Sequence, residues 1–522
     1  MKHSESKFGS SARKSLIDGA REVYGAVSTT LGPRGRNIVL WKHYQTRVQH
    51  DGVTCANAVN PEDPFLNAGA AIIKEAARRQ VEVVGDGTSV AVVLGYAIAS
   101  EALQIVESGV NPMALRSGLE KGKNILVENI GRLASPIKTK DQKVQIATVS
   151  SENEELGGMI GETLHKHGED AAIIVEGAVG IDTFMEHREG MQIDSGYKHQ
   201  IFVTNPKDMT ATVTKAVVLV TDYKLDNIHD LIPLFESAVA KSERNIVVIA
   251  EDIEGSVLAT MARNKMEGKI NFLAIKAPSF QREEILQDIA IVTGATFVSR
   301  QMKTDLKKLT IEDLGYAEQV ISTKDATAII GGDGEKKEIV DRIASIRKQL
   351  EDETREFNKE KLRERLAKLT GGLHIVNVGG NTETEVDEKK ERAKDAVLAT
   401  KAAIRSGIVP GGEVIFLSLD DLTPKSEDED YAYRILKKAL RAPFDKLLQN
   451  AGLDPGEMKN KLGNSPFGCG VDVTTGEIKN MIKSGIIDPA LVPQEAIKNA
   501  VSIAISIITS DGIVAEIEDE PK

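Results

Sequence analysis

Apolar residues between Ala12 and Val27 recur at three- and four-residue steps, the period of one buried helix face, and the run stops at Leu31-Gly32-Pro33-Arg34-Gly35. Asn37-Ile38-Val39-Leu40-Trp41 then predicts a short strand. Helical spacing returns from Phe65 to Val84 and, after Gly85-Asp86-Gly87-Thr88, continues to about Glu107. In the middle of the chain, short apolar runs at Ala216–Val220, Asn245–Ala250, Ile270–Ile275 and Thr296–Val298 alternate with helical stretches, which predicts an α/β domain. Between Lys337 and Leu369, Ile339, Ile343, Ile346 and Leu350 keep helical spacing in a charged background, as do Leu362, Leu366 and Leu369 before Gly371-Gly372. That pattern predicts two amphipathic helices packed on the domain. From Asp395 nearly to the end the pattern is helical again, with Ser426–Asp430 reading as a solvated acidic loop. Helical texture thus brackets α/β texture, and no solenoid period is present. The expectation is a helical domain built from both chain ends with another inserted between.

A chain of 522 residues is too long for one core, since domains usually hold roughly 100–200 residues. Aromatic residues make up only 4%, so aliphatic side chains must fill the cores. A net charge of −12 gives nucleic-acid binding no electrostatic support. Two cysteines, Cys55 and Cys469, are too few for a disulfide framework and read as reduced thiols. The polar stretch from Met1 to Ser15 has no signal-peptide core, and no uninterrupted apolar run approaches the roughly 20 residues of a membrane span. A cytoplasmic protein with no membrane partner is expected.

Two glycine-rich segments suggest chemistry. Thr30-Leu31-Gly32-Pro33-Arg34-Gly35 follows a helix, and Gly85-Asp86-Gly87-Thr88-Ser89 opens one. Glycine lets backbone approach a phosphate closely, and the first turn of a helix offers unpaired N–H donors. Asp86 suits a magnesium ion beside such a phosphate, while the Thr88 and Ser89 hydroxyls can donate to it. The Walker A pattern is absent. Each segment alone is also an ordinary turn or cap. On residue type alone, Asp51 reads as a turn residue, Asp395 as a solvated helix residue and Asp488, before Pro489, as a helix N-cap.

The motifs in combination resemble the group I chaperonins, the bacterial and organellar 60-kDa folding chaperones. The matching stretches include Thr30–Asn37, Asp51-Gly52-Val53, Gly85–Thr88, Asn111-Pro112-Met113, Glu189-Gly190-Met191, Ile249–Gly255, Lys276-Ala277-Pro278, Leu286–Ala290, Glu312–Gly315 and Pro410-Gly411-Gly412, in family order over nearly the whole chain. The resemblance implies a multidomain α+β chaperonin fold. A mainly helical equatorial ATPase domain would come from residues 1–133 and 406–522, a small intermediate hinge from 134–188 and 374–405, and an α/β apical domain from 189–373. It further implies an ATP-driven chaperone that captures non-native polypeptides and folds them in a seven-membered homo-oligomeric ring, with a co-chaperonin as a candidate partner. By position, Thr30, Leu31, Gly32, Pro33, Gly85, Asp86, Gly87, Thr88 and Ser89 would cradle the ATP phosphates and Asp86 would bind Mg2+, with K+ as a candidate second ion. Asp51 and Asp395 would orient the attacking water, Asp395 arriving on domain closure, and Gly412 and Asp488 would contact the adenosine. Tyr197, Ile201, Phe202, Ile232, Phe235, Leu258, Ala262 and Arg263 would line the substrate rim.

Departures from the family pattern point to a divergent lineage, with a large bacteriophage as a candidate source. Val90 stands where a third hydroxyl is usual, His50 replaces a lysine, and Glu413 replaces a third glycine. Arg263 and His199 put charge or polarity on the rim, which implies an altered co-chaperonin contact. Asp445 faces Asp454, and Gln104 faces Glu427, at the positions of inter-ring charge pairs, which implies a single ring or a weak double ring. Ser195 replaces an arginine and leaves Glu383 without its usual partner, and the C-terminus is short and acidic. An ATP-regulated holdase with weak encapsulation is the alternative function; a small-molecule kinase has no visible second substrate pocket.

Overall fold

The computed structural model describes residues 2–42, 45–49, 51–178, 180–419, 422–463 and 465–518, so His50 and the last four residues lie outside the described part. By contact the chain divides into two units, one of residues 1–165 with 388–522 and one of residues 166–387. The first begins with β1 (Lys2–Phe8), α1 (Gly9–Val27), the hairpin β2 (Ile38–Lys42) and β3 (Gln45–Gln49), α2 (Gly52–Ala58), α3 (Pro64–Val84), α4 (Thr88–Glu107), α5 (Pro112–Leu133), α6 (Lys140–Ser151) and α7 (Glu154–His167). Helix starts follow local chemistry. Asp63 and Asn111 accept from backbone N–H groups two residues on, each just before a proline at the first helical position. Thr139 and Gln142 cap α6 reciprocally. Helices α1 and α3 touch through their backbones, since a Cβ on Gly19 would lie 1.8 Å from the Leu66 carbonyl oxygen.

The second unit holds β4 (Ala172–Gly177), β5 (Phe184–Arg188), β6 (Gly190–Ile193), β7 (Ala211–Val220), β8 (Lys224–Leu225), α8 (Ile232–Ala240), β9 (Asn245–Ala250), β10 (Asp252–Ile253), α9 (Gly255–Met266), β11 (Asn271–Lys276), α10 (Arg282–Thr293), β12 (Gly315–Ser322), β13 (Thr327–Gly332), α11 (Lys336–Asp352), α12 (Glu356–Thr370) and β14 (Leu373–Val378). Its main sheet runs β11-β9-β7-β12-β13-β6, with β11, β9 and β7 parallel and the rest antiparallel. The parallel strands are apolar on both faces, which is why their sequences read as continuous runs. The expected strand at Thr296–Val298 is only an isolated bridge from Val298 to Thr221. Helices α11 and α12 form the expected pair. Their anchor is polar: Asp288 of α10, 1% exposed, accepts from Arg342 at 2.6 Å and from Arg365 at 2.9 and 3.1 Å. Glu383 pairs instead with Lys207 at 2.5 Å, and Ser195 donates to the Lys276 carbonyl.

The chain returns through α13 (Glu383–Ser406), β15 (Ile408–Pro410), α14 (Val414–Leu417), α15 (Glu427–Ala439), α16 (Ala442–Asn450), α17 (Pro455–Leu462), β16 (Cys469–Asp472), β17 (Glu477–Asn480), β18 (Ile487–Pro489), α18 (Leu491–Thr509) and β19 (Gly512–Glu518). This part is less uniformly helical than its pattern suggested: β15 pairs with β18, β16 with β17, and β19 with β1. The acidic run is also not a loop. Ser426 caps α15 and the four acids fill its first turn, where the helix dipole favours them. Asp445 and Asp454 are each engaged within their own subunit. Asp445 pairs with Lys459 at 2.5 Å, and Asp454 accepts from the Glu457 N–H at 2.7 Å. Helices α4 and α18 are long and apolar enough to cross a bilayer, yet their most apolar windows are 61% buried and the two pack on each other.

Replacing Asp288 with Asn strands two arginines, one of them buried, and is expected to lower stability by about 3–5 kcal/mol, with early amide exchange in α11 and α12. His374 of β14 packs against His167 and His187 at ring-centroid distances of 4.5 and 4.9 Å, and burial with its neighbours' charge lowers it from 6.5 to about 4. Between those values an unfolded chain holds a proton that the folded one lacks, so stability present above about 6.5 is lost as the pH falls toward 4. Amide exchange of β14 should accelerate over that window, and His374→Leu should flatten the dependence.

Candidate functional site

Helix α3 ends on Gly85 (φ +79°) and α4 starts after Gly87 (φ +80°), both in the left-handed region that glycine reaches freely. Space adds a second reason: a Cβ on Gly87 would lie 2.5 Å from Val492 and one on Gly85 2.6 Å from Leu398. No side chain caps α4, so its first-turn N–H groups remain open toward the turn. Asp86 lies at the turn's apex and accepts from the Gly87 N–H at 2.6 Å. A buried amide relay holds the turn. Gln80 donates to the carbonyls of Asp86 (3.0 Å) and Val492 (3.1 Å) and accepts from Asn499 at 3.1 Å.

The Thr30–Gly35 loop closes on itself through Gly35 N–H to the Gly32 carbonyl and Arg36 N–H to the Thr29 carbonyl, both 2.8 Å. Thr30 donates to the Val27 carbonyl at 2.8 Å, which leaves Ser89, 3.0 Å away, as the donor of their shared bond. Asn450 of α16 pins the loop by donating to the carbonyls of Ser28 and Leu31 at 2.9 and 3.0 Å. Thr30, Leu31 and Thr88 are buried, whereas Pro33 is exposed. Asp51 is the N-cap of α2, accepting from Val53 (3.2 Å) and Thr54 (2.7 Å). A Cβ on the next residue, Gly52, would lie 2.7 Å from the Ser89 hydroxyl, so the start of α2 nests on the start of α4.

The carboxylates converge. Asp395 is not a solvated helix residue: burial, then the charges of Asp86, Asp51 and Glu391, push it up to about 8. Asp488 is no N-cap; it lies on β18 opposite Val409, and burial with the charge of Asp86 raises it to about 7. Glu413, just after Gly412, is raised well above the usual range by burial, Asp488 and Asp86. Asp86 opens to solvent through the cleft but is encircled by protein, and the encirclement, with Glu152 nearby, raises it too. Glu152 in turn pairs with Arg392 at 2.5 Å, which ties α13, and with it Asp395, to the end of α6. Asp51, Asp395 and Asp488, from separate stretches, therefore gather near Asp86. Sequence spacing showed nothing of Gln80, Asn499, Asn450 or the Glu152–Arg392 pair; an amide amid a helix's apolar face, as Gln80 is, was the only available sign.

Carboxylates that raise one another lack positive charge, which fits a magnesium ion. Among the described residues no three His, Cys, Asp or Glu side chains form a metal cage. Magnesium needs none, because it is commonly held by one or two carboxylates together with the phosphates it accompanies.

The residues expected on the rim differ in exposure. Phe202 (0% exposed), Phe235 (7%) and Tyr197 (8%) belong to the core of the second unit. Ile201, Ile232, Leu258 and Ala262 are half-buried, and Arg263 of α9 is exposed.

The TCP-1/cpn60 chaperonin family model matches residues 23–232 and 236–518, and the chain belongs to this family. Its fold is the multidomain α+β chaperonin fold. Two crystal forms of chaperonin gp146 from bacteriophage EL 2 (Pseudomonas aeruginosa), both in the presence of ATP-BeFx, are similar throughout. Form II has a TM-score of 0.73 at 22% identity over 98% of each chain, and form I has 0.65 at 21% over 99% of each.

Burial and the charge of Asp86 hold Asp488 at about 7 and Asp395 at about 8, so a cation bound at Asp86 would favour their ionised forms and displace protons. Mg-nucleotide binding is expected to release protons and to tighten as pH rises through that range. Calorimetry in two buffers of different ionisation heat measures this; equal heats would remove these carboxyls from the cation's surroundings.

Proposed function

We propose that the protein is an ATP-dependent molecular chaperone that captures non-native polypeptides and promotes their folding in a ring cavity. The observation that carries this reading is the convergence of Asp51, Asp86, Asp395 and Asp488 beside the uncapped start of α4, in a chain of a family whose members are ATPases. Residues 1–133 and 406–522 would form the equatorial part, 134–188 and 374–405 the hinge, and 189–373 the substrate-binding part, in rings of seven.

The Gly32 loop and the first turn of α4 would receive the phosphates, with Thr88 and Ser89 as hydroxyl donors. Asp86 would hold Mg2+, which supplies charge neutralisation at the phosphate oxygens. Asp51 is fixed by its two backbone hydrogen bonds and would aim the attacking water. Asp395, raised to about 8, would lose its proton as the cation binds and its carboxylate would then accept the water's proton. Because Asp395 lies on α13, within the stretch assigned to the hinge, turnover would depend on domain closure. The half-buried apolar side chains on α8 and α9 would engage unfolded chains through the apolar surface that such chains share.

A holdase with weak encapsulation is the second reading, favoured by the exposed Arg263 and by the burial of Tyr197, Phe202 and Phe235. Recovery of a denatured enzyme separates the two: dependence on ATP hydrolysis supports folding, and protection without recovery supports holding. Light scattering with and without ATP tests the ring, and a monomer under both conditions removes the chamber. Asp395→Ala should cut ATP turnover at least about 100-fold while nucleotide affinity stays within a few-fold. Unchanged turnover would sink the catalytic assignment.

A further inference from the structure

Three histidines meet beside the small sheet of the second unit. Its middle strand is β14, between β4 and β5, and the register sets His374 directly across from His187 of β5. Directly opposed residues on paired strands share a face of the sheet. His167, the last residue of α7, completes the group shortly before the chain enters β4. The His374 ring lies 4.5 Å from that of His167 and 4.9 Å from that of His187, centroid to centroid, with tilts of 48° and 41°. Gly372 makes room for the arrangement, since a Cβ there would lie 2.6 Å from the His187 Cε1 and 3.1 Å from its Nε2.

Packing alone does not account for the group. Among the described residues none of the three rings makes a hydrogen bond. His374 is 6% exposed, and its Nε2 is buried without a partner. A buried polar atom left unpaired is costly, and native structures rarely keep one unless an ion, a ligand or water serves it. A leucine would fill the same space at no such cost.

An imidazole nitrogen with no hydrogen bond to make is a ligand for a borderline dication such as Zn2+, Ni2+ or Cu2+. With a Zn–N distance of about 2.1 Å, two imidazoles on one tetrahedral ion hold their ring centres about 5 Å apart. Both ring pairs already stand at that spacing. Their nitrogens do not yet enclose a common point, and the terminal ring torsion of histidine is soft enough to turn them inward. His187 is exposed and His167 half-buried, so an ion can enter from solvent and keep a fourth position open. The charge of Lys166 opposes a dication, but that side chain is exposed and screened by solvent.

We propose that His167, His187 and His374 form a binding site for a borderline transition-metal dication, with Zn2+ as the model ion, which ties His167 to the β5–β14 pair. The site shares no residue with the nucleotide site and is tested apart from it.

The test titrates Co2+, whose visible bands report nitrogen ligation and coordination number, into the untagged, metal-free full chain in excess Mg2+, which competes for carboxylates. One equivalent is expected to give the strong bands of a four- or five-coordinate ion, and Zn2+ should displace it. His187→Ala and His374→Ala should each weaken Co2+ binding at least about tenfold, whereas His229→Ala, in an exposed turn elsewhere, should leave it unchanged. His187 is exposed, so its variant keeps the test valid if His374→Ala fails to fold. Zn2+ should also raise the melting temperature of the wild type and not that of His187→Ala. No binding, only the weak bands of a six-coordinate ion, or equal affinity in wild type and His187→Ala would each overturn the inference.

Discussion

Asp395, Glu413 and Asp488 are each raised first by burial and then by neighbouring carboxylates, Asp86 among them, so the fold withdraws from water a group of carboxyls gathered near one of their own kind. The fold brings them together at a cost to its own stability, which a cation with an anionic ligand would relieve. Most of the surrounding structure serves that placement. Asp86 is held by a turn that only glycines can make, Asp395 by a helix tied down through Arg392 and Glu152, and Asp488 by a short strand pair. Burial of carboxyls beside one another is thus the constraint that a bound cation would relieve.

The two units meet different physical problems. In the helical unit, apolar stripes pack until backbones touch, as at Gly19 and Gly69, and polar groups enter only where a turn must be fixed. In the sheet unit a buried carboxylate shared by two arginines fastens a pair of helices whose composition is too polar to bury itself. The desolvation of Asp288 is offset only because both guanidinium groups reach it.

Much of this was legible beforehand. The periodicity of Phe65–Val84 and the run Asn245–Ala250 match α3 and β9 closely, because burial on one face or on both leaves a direct trace in composition. The glycine turns were legible through their rarity in combination. The acidic stretch Glu427–Asp430 misled because charge density suggests solvent, whereas Ser426 turns the same residues into a favourable helix start. Asp395 and Asp488 misled for a different reason: their surroundings are assembled from residues hundreds of positions away, and no local pattern reports on that. The relay through Gln80 and Asn499 was invisible for the same reason.

That relay also bears on how the protein is made. The turn carrying Asp86 is held by Gln80, and Gln80 is held by Val492 and Asn499 near the other end of the chain. A ribosome that has finished the glycine turn still has some four hundred residues to synthesise before the amides that fix it exist. During that interval the nascent chain has the site's residues without its geometry. The turn's final geometry can therefore be fixed only once the segment that carries Val492 and Asn499 has been made.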